Sequence, residues 1–235
     1  MRRFWILALF VLVVASIGGY IAGTSQAFFP RSVAVRGNHV VSRDEIAQKA
    51  AIARNRNVWL QNTRAMAKRV ETIPFIATAK IRRALDADVT IEVTERVPFA
   101  TVRTLDEEAT VDRDLRVLGA GADEAAPALP LLIVRNHISL VPGRFLKDET
   151  LSRLRGDDVA LVAAHIPAVV LSTDRYGQLV ATLRNGVRLL LGDDDDLARK
   201  LPLVDPILTQ LARAHRPIAA LDLRAPTTPI VVYKK

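Results

Sequence analysis

The stretch 33-VAVRGNHVVSRDEI-46 decides how this chain is read, because it sets out a strand, a turn and a helix start in immediate succession. Val33 and Val35 alternate with their neighbours at the period of a half-buried strand, predicted over residues 32–36. Gly37-Asn38 marks the turn that ends it. Ser42 and Glu45 then stand three apart ahead of Ile46, the spacing of a capping box in which Ser42 serves the N3 amide and Glu45 reaches back. A helix is therefore predicted to begin there and to run to about residue 51.

Toward the C-terminus, a second helix is predicted from Asn62 or Thr63, with Met66, Val70 and Ile73 at helical spacing until Pro74 stops it. Ala77, Ala79 and Ile81 then alternate with Thr78 and Lys80. Val89, Ile91 and Val93 alternate in the same way with Thr90, Glu92 and Thr94, so two half-buried strands are predicted, joined by a turn over residues 85–88. The order strand, helix, helix, strand, strand predicts a small α+β unit whose helices cover one face of its sheet.

Toward the N-terminus, residues 4–22 read FWILALFVLVVASIGGYIA without a charge. As a helix they extend about 28 Å, close to the ~30 Å hydrocarbon core of a bilayer. Arg2 and Arg3 precede them, and the positive-inside rule then keeps residues 1–3 in the cytoplasm and sends the remainder across. Two readings stand. One is an uncleaved anchor over residues 4–23 with a linker over 24–31; the other is a signal peptide cleaved near Ser25-Gln26-Ala27, although such apolar regions normally run only ~7–15 residues. Gly19 and Gly23 form a GxxxG pair that would let a partner helix approach closely, beside the plainer reading of small residues near a helix end.

A first exported domain over residues 32–97 is followed by a β-rich one over 98–235. Apolar stretches at 99–102, 129–134, 169–171, 179–183 and 187–191 are separated by Asp, Gly, Asn and Pro. Asn185-Gly186 predicts a hairpin because both residues tolerate positive φ. Leu151, Leu154 and the run 159–164 predict one or two helices on that sheet. Leu197, Leu201, Val204, Leu208 and Leu211 recur at helical spacing and predict a helix kinked at Pro202 and Pro206. The alternative is a separate helix capped by Asp205 with Pro206 at its first position.

Half of the 235 residues are apolar and a quarter charged, which excludes wholesale disorder. The absence of cysteine removes disulfides, thiolate metal sites and cysteine nucleophiles. A net charge of +8 names no partner, and with 5% aromatics and basic residues interleaved with acids there is no nucleic-acid stripe. The four histidines are scattered, and HExxH, GxSxG and GxxxxGK patterns are missing. No catalytic, metal-binding or cofactor-binding residue is predicted, and no enzyme. The acidic run 193–196 reads as carboxylates favoured by a helix macrodipole, with calcium binding as the other reading.

The stretch 33–46, the segment IPFIATAKIRRA at 73–84 and VTIEVTERVPFA at 89–100 resemble the POTRA domain of the FtsQ/DivIB family of bacterial cell-division proteins and its junction with the next domain. Val111-Asp112-Arg113-Asp114, Leu129-Pro130-Leu131-Leu132, VRLLLGDDDDLARKL at 187–201 and ALDLRAP at 220–226 follow in the family's order. The resemblance implies an α+β protein with a single N-terminal transmembrane helix, a POTRA domain and a β-rich domain with helices on one sheet. It also implies a non-catalytic scaffold at the division septum, single-pass in the inner membrane with its domains on the outer side. Such a scaffold links early and late division proteins and helps control septal peptidoglycan synthesis by binding FtsB and FtsL.

The partner-binding positions the resemblance implies are Leu221, Asp222, Leu223 and Arg224, with Ile230, Val231 and Val232 following. Residue chemistry points to the same end. Residues 220–223 and 230–233 are β-prone runs around a Pro-Thr-Thr-Pro turn, and a terminal strand is a natural sheet edge whose unpaired amides can recruit an extended peptide. An interior strand pair, or a frayed tail ending in Lys234-Lys235, are the other readings. On the POTRA domain, Arg82, Arg83 and Arg96 are candidates for contact with other division proteins, beside the reading that they are solvated strand ends. A POTRA-containing envelope assembly or export factor is the alternative function. It requires a following barrel or repeated POTRA units, and the residues after 98 show neither pattern.

Overall fold

A computed structural model describes residues 2–120 and 129–234 and divides the chain into two compact units, Met1–Arg96 and Val97–Lys235. The first opens with helix α1 (Arg2–Thr24), long and apolar enough over Arg3–Ile21 to cross a membrane, with none of that window buried against protein. Its two aliphatic hydroxyls are satisfied within the helix: Ser16 Oγ donates to the Leu12 carbonyl at 2.8 Å and Thr24 Oγ1 to that of Tyr20 at 2.9 Å. A helix surrounded by hydrocarbon needs this internal pairing, because lipid offers no alternative partner.

The rest of this unit comprises β1 (Val33–Arg36), α2 (Arg43–Ala50), α3 (Thr63–Val70), β2 (Ile76–Arg83) and β3 (Val89–Glu95). The sheet order is β1-β3-β2, with β1 parallel and β2 antiparallel to the central β3. Alternation supplies one apolar face, in which Val35, Ile76, Ile91 and Val93 meet Ile46 and Ala50 of α2 and Val70 of α3. The helix starts are set by side chains that accept otherwise orphaned amides. Ser42 Oγ takes the Glu45 N–H at 3.2 Å, and Asn62 Oδ1 takes that of Ala65 at 3.0 Å. α3 ends at Val70, four residues before Pro74, because a residue preceding proline is pushed out of the α region and Ile73 instead closes a tight turn onto the Val70 carbonyl.

The turn between β1 and α2 is tied to β3 by one carboxylate. Glu95 accepts the backbone N–H groups of His39 at 3.0 Å, Val40 at 2.9 Å and Val41 at 2.8 Å. Burial pushes its pKa up, but the three backbone donors, helped by His39, outweigh it and hold the carboxyl below its ordinary value. A depressed folded pKa contributes stability that is present above the unfolded value and is lost as the pH falls through the folded one. Unfolding midpoints of the first unit should therefore drop as the pH falls from the ordinary carboxylate range through the lower folded value. Glu95→Gln should cost about 2 kcal/mol at neutral pH and flatten that acid limb. Parallel acid limbs in the two proteins would show that the carboxylate does not hold this turn.

Among its described residues, the second unit is a nine-stranded sheet with two α-helices. Its elements are β4 (Pro98–Arg103), β5 (Glu108–Asp112), β6 (Val117–Ala120), β7 (Leu131–Ile133), α4 (Glu149–Ala163), β8 (Ala168–Thr173), β9 (Leu179–Leu183), β10 (Arg188–Gly192), α5 (Leu197–Arg213), β11 (Ile218–Asp222) and β12 (Ile230–Tyr233). The strand order is β12-β11-β10-β9-β8-β7-β4-β5-β6. Two of the parallel pairs, β7 with β8 and β10 with β11, join consecutive strands across a helix. Parallel neighbours need such a crossover. Because β7 and β10 point the same way and both crossovers step toward β12, right-handed connections place α4 and α5 on one face. Leu151, Leu154 and Leu161 of α4 and Leu197, Leu201 and Val204 of α5 accordingly share one core with Leu132, Leu171, Ala181, Leu189, Leu191 and Leu221 of the sheet.

Three local expectations are refined in detail. α5 runs as one helix through Pro202 and Pro206, so the alternative of a separate helix starting at Asp205 does not hold. Both prolines lie on its exposed side, where water can hydrate the carbonyls whose donors they remove. The 185–186 hairpin has positive φ at Gly186 alone; Leu183 pairs with Val187 across three residues, the geometry of a tight turn followed by one left-handed residue. Asp196 occupies the N-cap of α5 without accepting a capping hydrogen bond, since its backbone is not extended; its carboxylate lies 3.7 Å from Arg199.

Candidate functional site

The long sheet has two edges, and they differ. Beyond β6, the segment 143–146 folds across the strand: Val117 N–H donates to the Arg144 carbonyl at 2.8 Å, Gly143 N–H to that of Val117 at 2.7 Å, and Leu146 N–H to that of Leu115 at 2.9 Å. That edge is covered at Leu115–Val117. At the other, β12 pairs antiparallel with β11 and, among the described residues, with no further strand.

Hydrogen bonds fix which groups of β12 face outward. Lys234 N–H donates inward to the Pro217 carbonyl at 3.0 Å, and successive residues of a strand direct their amides to opposite sides. Val232 and Ile230 therefore bond toward β11, while the N–H and C=O of Val231 and Tyr233 point to the open side. β11 gives the same parity from its far flank, where Leu223 N–H reaches the Leu190 carbonyl of the β10 strand at 2.8 Å, leaving residues 220 and 222 to bond β12.

The side chains divide as the pleat requires. Val231 packs on the core beneath α5, and Tyr233 has the Arg216 guanidinium 4.4 Å from its ring centroid. Ile230 and Val232 stand on the opposite face, 58% and 45% exposed. A terminal strand that leaves two β-branched side chains and two backbone positions unused is the feature that sheet proteins ordinarily avoid. Beside the Lys234 end is a cavity of about 240 Å³ lined by Leu208, Leu211 and Ala212 of α5 with Asn185, Arg216 and Pro217.

Leu221 and Leu223, expected among the contact positions, are fully buried in the core, and both flanks of β11 are occupied. Asp222 and Arg224 grip each other: Arg224 Nε lies 3.0 Å from both carboxylate oxygens, Nη2 is 2.5 Å from Oδ2, and the Arg224 N–H donates to Oδ1 at 3.0 Å. The Arg224 hydrogen bond holds the Asp222 carboxyl below its ordinary range, and Asp222 raises the guanidinium in turn. This clasp sets the direction of the chain as it leaves β11. Gly192, at φ +73°, allows it, since a Cβ there would come within 3.1 Å of Arg224 Cγ.

Of the first-unit arginines, Arg82 pairs with Glu92 across the exposed sheet at 2.7 Å. Arg83 turns back to donate to the carbonyls of Val58 at 3.1 Å and Trp59 at 3.0 Å. Arg96 is half-buried at the unit's last residue, its own N–H bonded to the Phe75 carbonyl at 2.7 Å. They form no common patch. Gly19 has open space around its Cα, whereas a Cβ on Gly23 would touch Leu60 at 3.6 Å.

Two family models match the chain. One, described as a POTRA domain of FtsQ type, covers residues 28–96, and the other, described as the C-terminal part of cell division protein FtsQ/DivIB, covers residues 100–224. β12 lies beyond the second match. Among curated relatives, the cell division protein FtsQ of Mycobacterium tuberculosis strain H37Rv is 27% identical over 227 residues, covering 96% of this chain and 68% of the relative. The FtsQ of Syntrophotalea carbinolica is 26% identical over 90% of this chain and 80% of its own. That of Chloroflexus aurantiacus is 26% identical over 95% and 80%.

Proposed function

We propose, for a chain that belongs to the FtsQ/DivIB family of bacterial cell division proteins, that it works as a non-catalytic scaffold of the divisome which captures an extended segment of FtsB, and through it FtsL, on the open edge of β12. The observation that carries this reading is the asymmetry of the nine-stranded sheet: one edge is covered at Leu115–Val117 by residues 143–146, and the other presents the N–H and C=O of Val231 and Tyr233 beside exposed Ile230 and Val232. Strand addition draws affinity from main-chain hydrogen bonds and specificity from alternate side chains, so it needs no catalytic group. α1 tethers the scaffold as a single-pass helix, with residues 1–3 in the cytoplasm and the chain beyond α1 on the outer side at the septum. Holding its partners there helps to control septal peptidoglycan synthesis.

Amide hydrogen exchange of the full-length chain, with and without the FtsB segment, tests this reading. Val232 and Ile230 amides should be slow in the free protein, being bonded to β11, whereas those of Val231 and Tyr233 should slow about ten-fold or more only when the segment is added. Protection that rises elsewhere while Val231 and Tyr233 keep their free rates would place the contact off this edge.

A further inference from the structure

Exposed large apolar side chains on the folded part of the first unit are unevenly placed. Among its described residues these are Val40, Trp59, Leu60 and Leu85, and the last three gather at the end from which α1 emerges. Leu85, 91% exposed, tips the turn between β2 and β3; that turn abuts the segment between α1 and β1, since Arg31 N–H donates to the Ala87 carbonyl at 3.3 Å. Leu60, 71% exposed, lies against Gly23, only two residues beyond the apolar window that ends at Ile21. Val40 is at the opposite end of β3, beside Glu95.

The loop that carries Trp59 and Leu60 is held stiffly. Asn57 Oδ1 accepts the Trp59 N–H at 2.9 Å, the Gln61 side chain bonds both the N–H and the C=O of Ala53, and Arg83 pins the Val58 and Trp59 carbonyls with its guanidinium 5.2 Å from the indole centroid. Trp59 remains 41% exposed. The stretch 46–70 contains Lys49, Arg54, Arg56, Arg64, Lys68 and Arg69 and no acid, and all six are exposed. Arg56 lines a cleft with Gly23, Thr24, Phe29 and Leu60.

We propose that this end of the unit rests on the membrane itself: Trp59, Leu60 and Leu85 enter the headgroup and upper acyl region of the outer leaflet, while Arg54 and Arg56 face the phosphates of anionic lipids. The proposal depends on α1 spanning the bilayer, because the contact between Leu60 and Gly23 then sets the loop at the depth where the span ends. Tryptophan with basic neighbours is the composition favoured at that depth. Seated there, the unit is fixed in height above the bilayer instead of swinging on the linker after α1.

The test uses the full chain carrying Trp5→Phe, which leaves Trp59 as its only indole, reconstituted in phosphatidylcholine–phosphatidylglycerol vesicles with or without phospholipid brominated high on the acyl chains. Emission from Trp59 should fall about two-fold with the brominated lipid, as a ring ~5–10 Å into the interface would. Adding Leu60→Asp and Leu85→Asp should abolish that loss and open the indole to aqueous acrylamide. A chain that floats with the vesicles but shows no bromine quenching and full acrylamide access overturns the proposal and leaves the span intact. Shielding from acrylamide without bromine quenching overturns it too, assigning the face to a second copy. Failure to float with the vesicles removes the spanning reading and this inference together.

Discussion

Val231→Pro in the full-length chain should weaken capture of the FtsB segment about 100-fold while leaving both units folded. The parity of β12 decides the sign. Val231 directs its N–H away from β11, so proline there removes no hydrogen bond of the free protein, its fixed φ suits an edge position, and Ile230 before it is already extended. A bound strand loses one donor and meets the pyrrolidine ring where its backbone should lie, an effect of about 2–3 kcal/mol. The companion variant is Val232→Pro. Its lost N–H bonds inward to β11, so β12 itself should come away, exposing the core beneath Val231 and lowering the unfolding midpoint. Pull-down of the FtsB segment, with circular dichroism on each variant, reads both. A folded Val231→Pro chain that binds at wild-type strength would sink the edge hypothesis, whatever Val232→Pro does.

What the sequence disclosed and what it hid follow from range. Ser42 three residues before Glu45, and the alternation over 89–93, are local patterns whose physics is complete within a few residues, so those elements stand where the sequence puts them. β5 and β6 escape such a reading, because EATVD has no apolar run and VLGA is four residues broken by a glycine; both become strands by pairing, β5 with β4, β6 with β5 and with segment 143–146. Alternation in ALDL is equally visible, yet which face is buried depends on α5 returning over the sheet. Leu221 and Leu223 therefore go to the core, and the exposed apolar role falls to Ile230 and Val232. Arg82, Arg83 and Arg96 look alike as letters; one pairs with Glu92, one braces the loop at Trp59, and one ends its unit, distinctions that only tertiary contacts make. Trp59 and Leu60 had a signal that composition could have supplied, an apolar pair inside the acid-free stretch 46–70.

The other large effect is expected at Gly37, where β1 turns away from the sheet. With φ at +86°, a side chain is strained there in any case. A Cβ would also collide with the Val93 carbonyl oxygen and come within 3.3 Å of its carbon, both in the backbone of the central strand, so no flexible neighbour can yield. β1 pairs with β3 at only four positions, Val33 to Arg36, and the clash acts at the end of that short ladder. Gly37→Ala should therefore cost about 3 kcal/mol or more, from left-handed strain and overpacking together. A unit of this size holds only about 3–10 kcal/mol in total. Gly186→Ala isolates the first component: its φ is +84°, but nothing lies within 4 Å of the added methyl, so it should cost only about 1–2 kcal/mol. Denaturant titrations of the full-length protein in micelles compare the two, each read on the transition of the unit that carries the change. Equal losses would mean that the Val93 carbonyl moves aside freely and that β1 is not clamped at its exit; a loss at Gly37 at least about twice that at Gly186 would show the backbone of β3 acting as the wall that only glycine can pass.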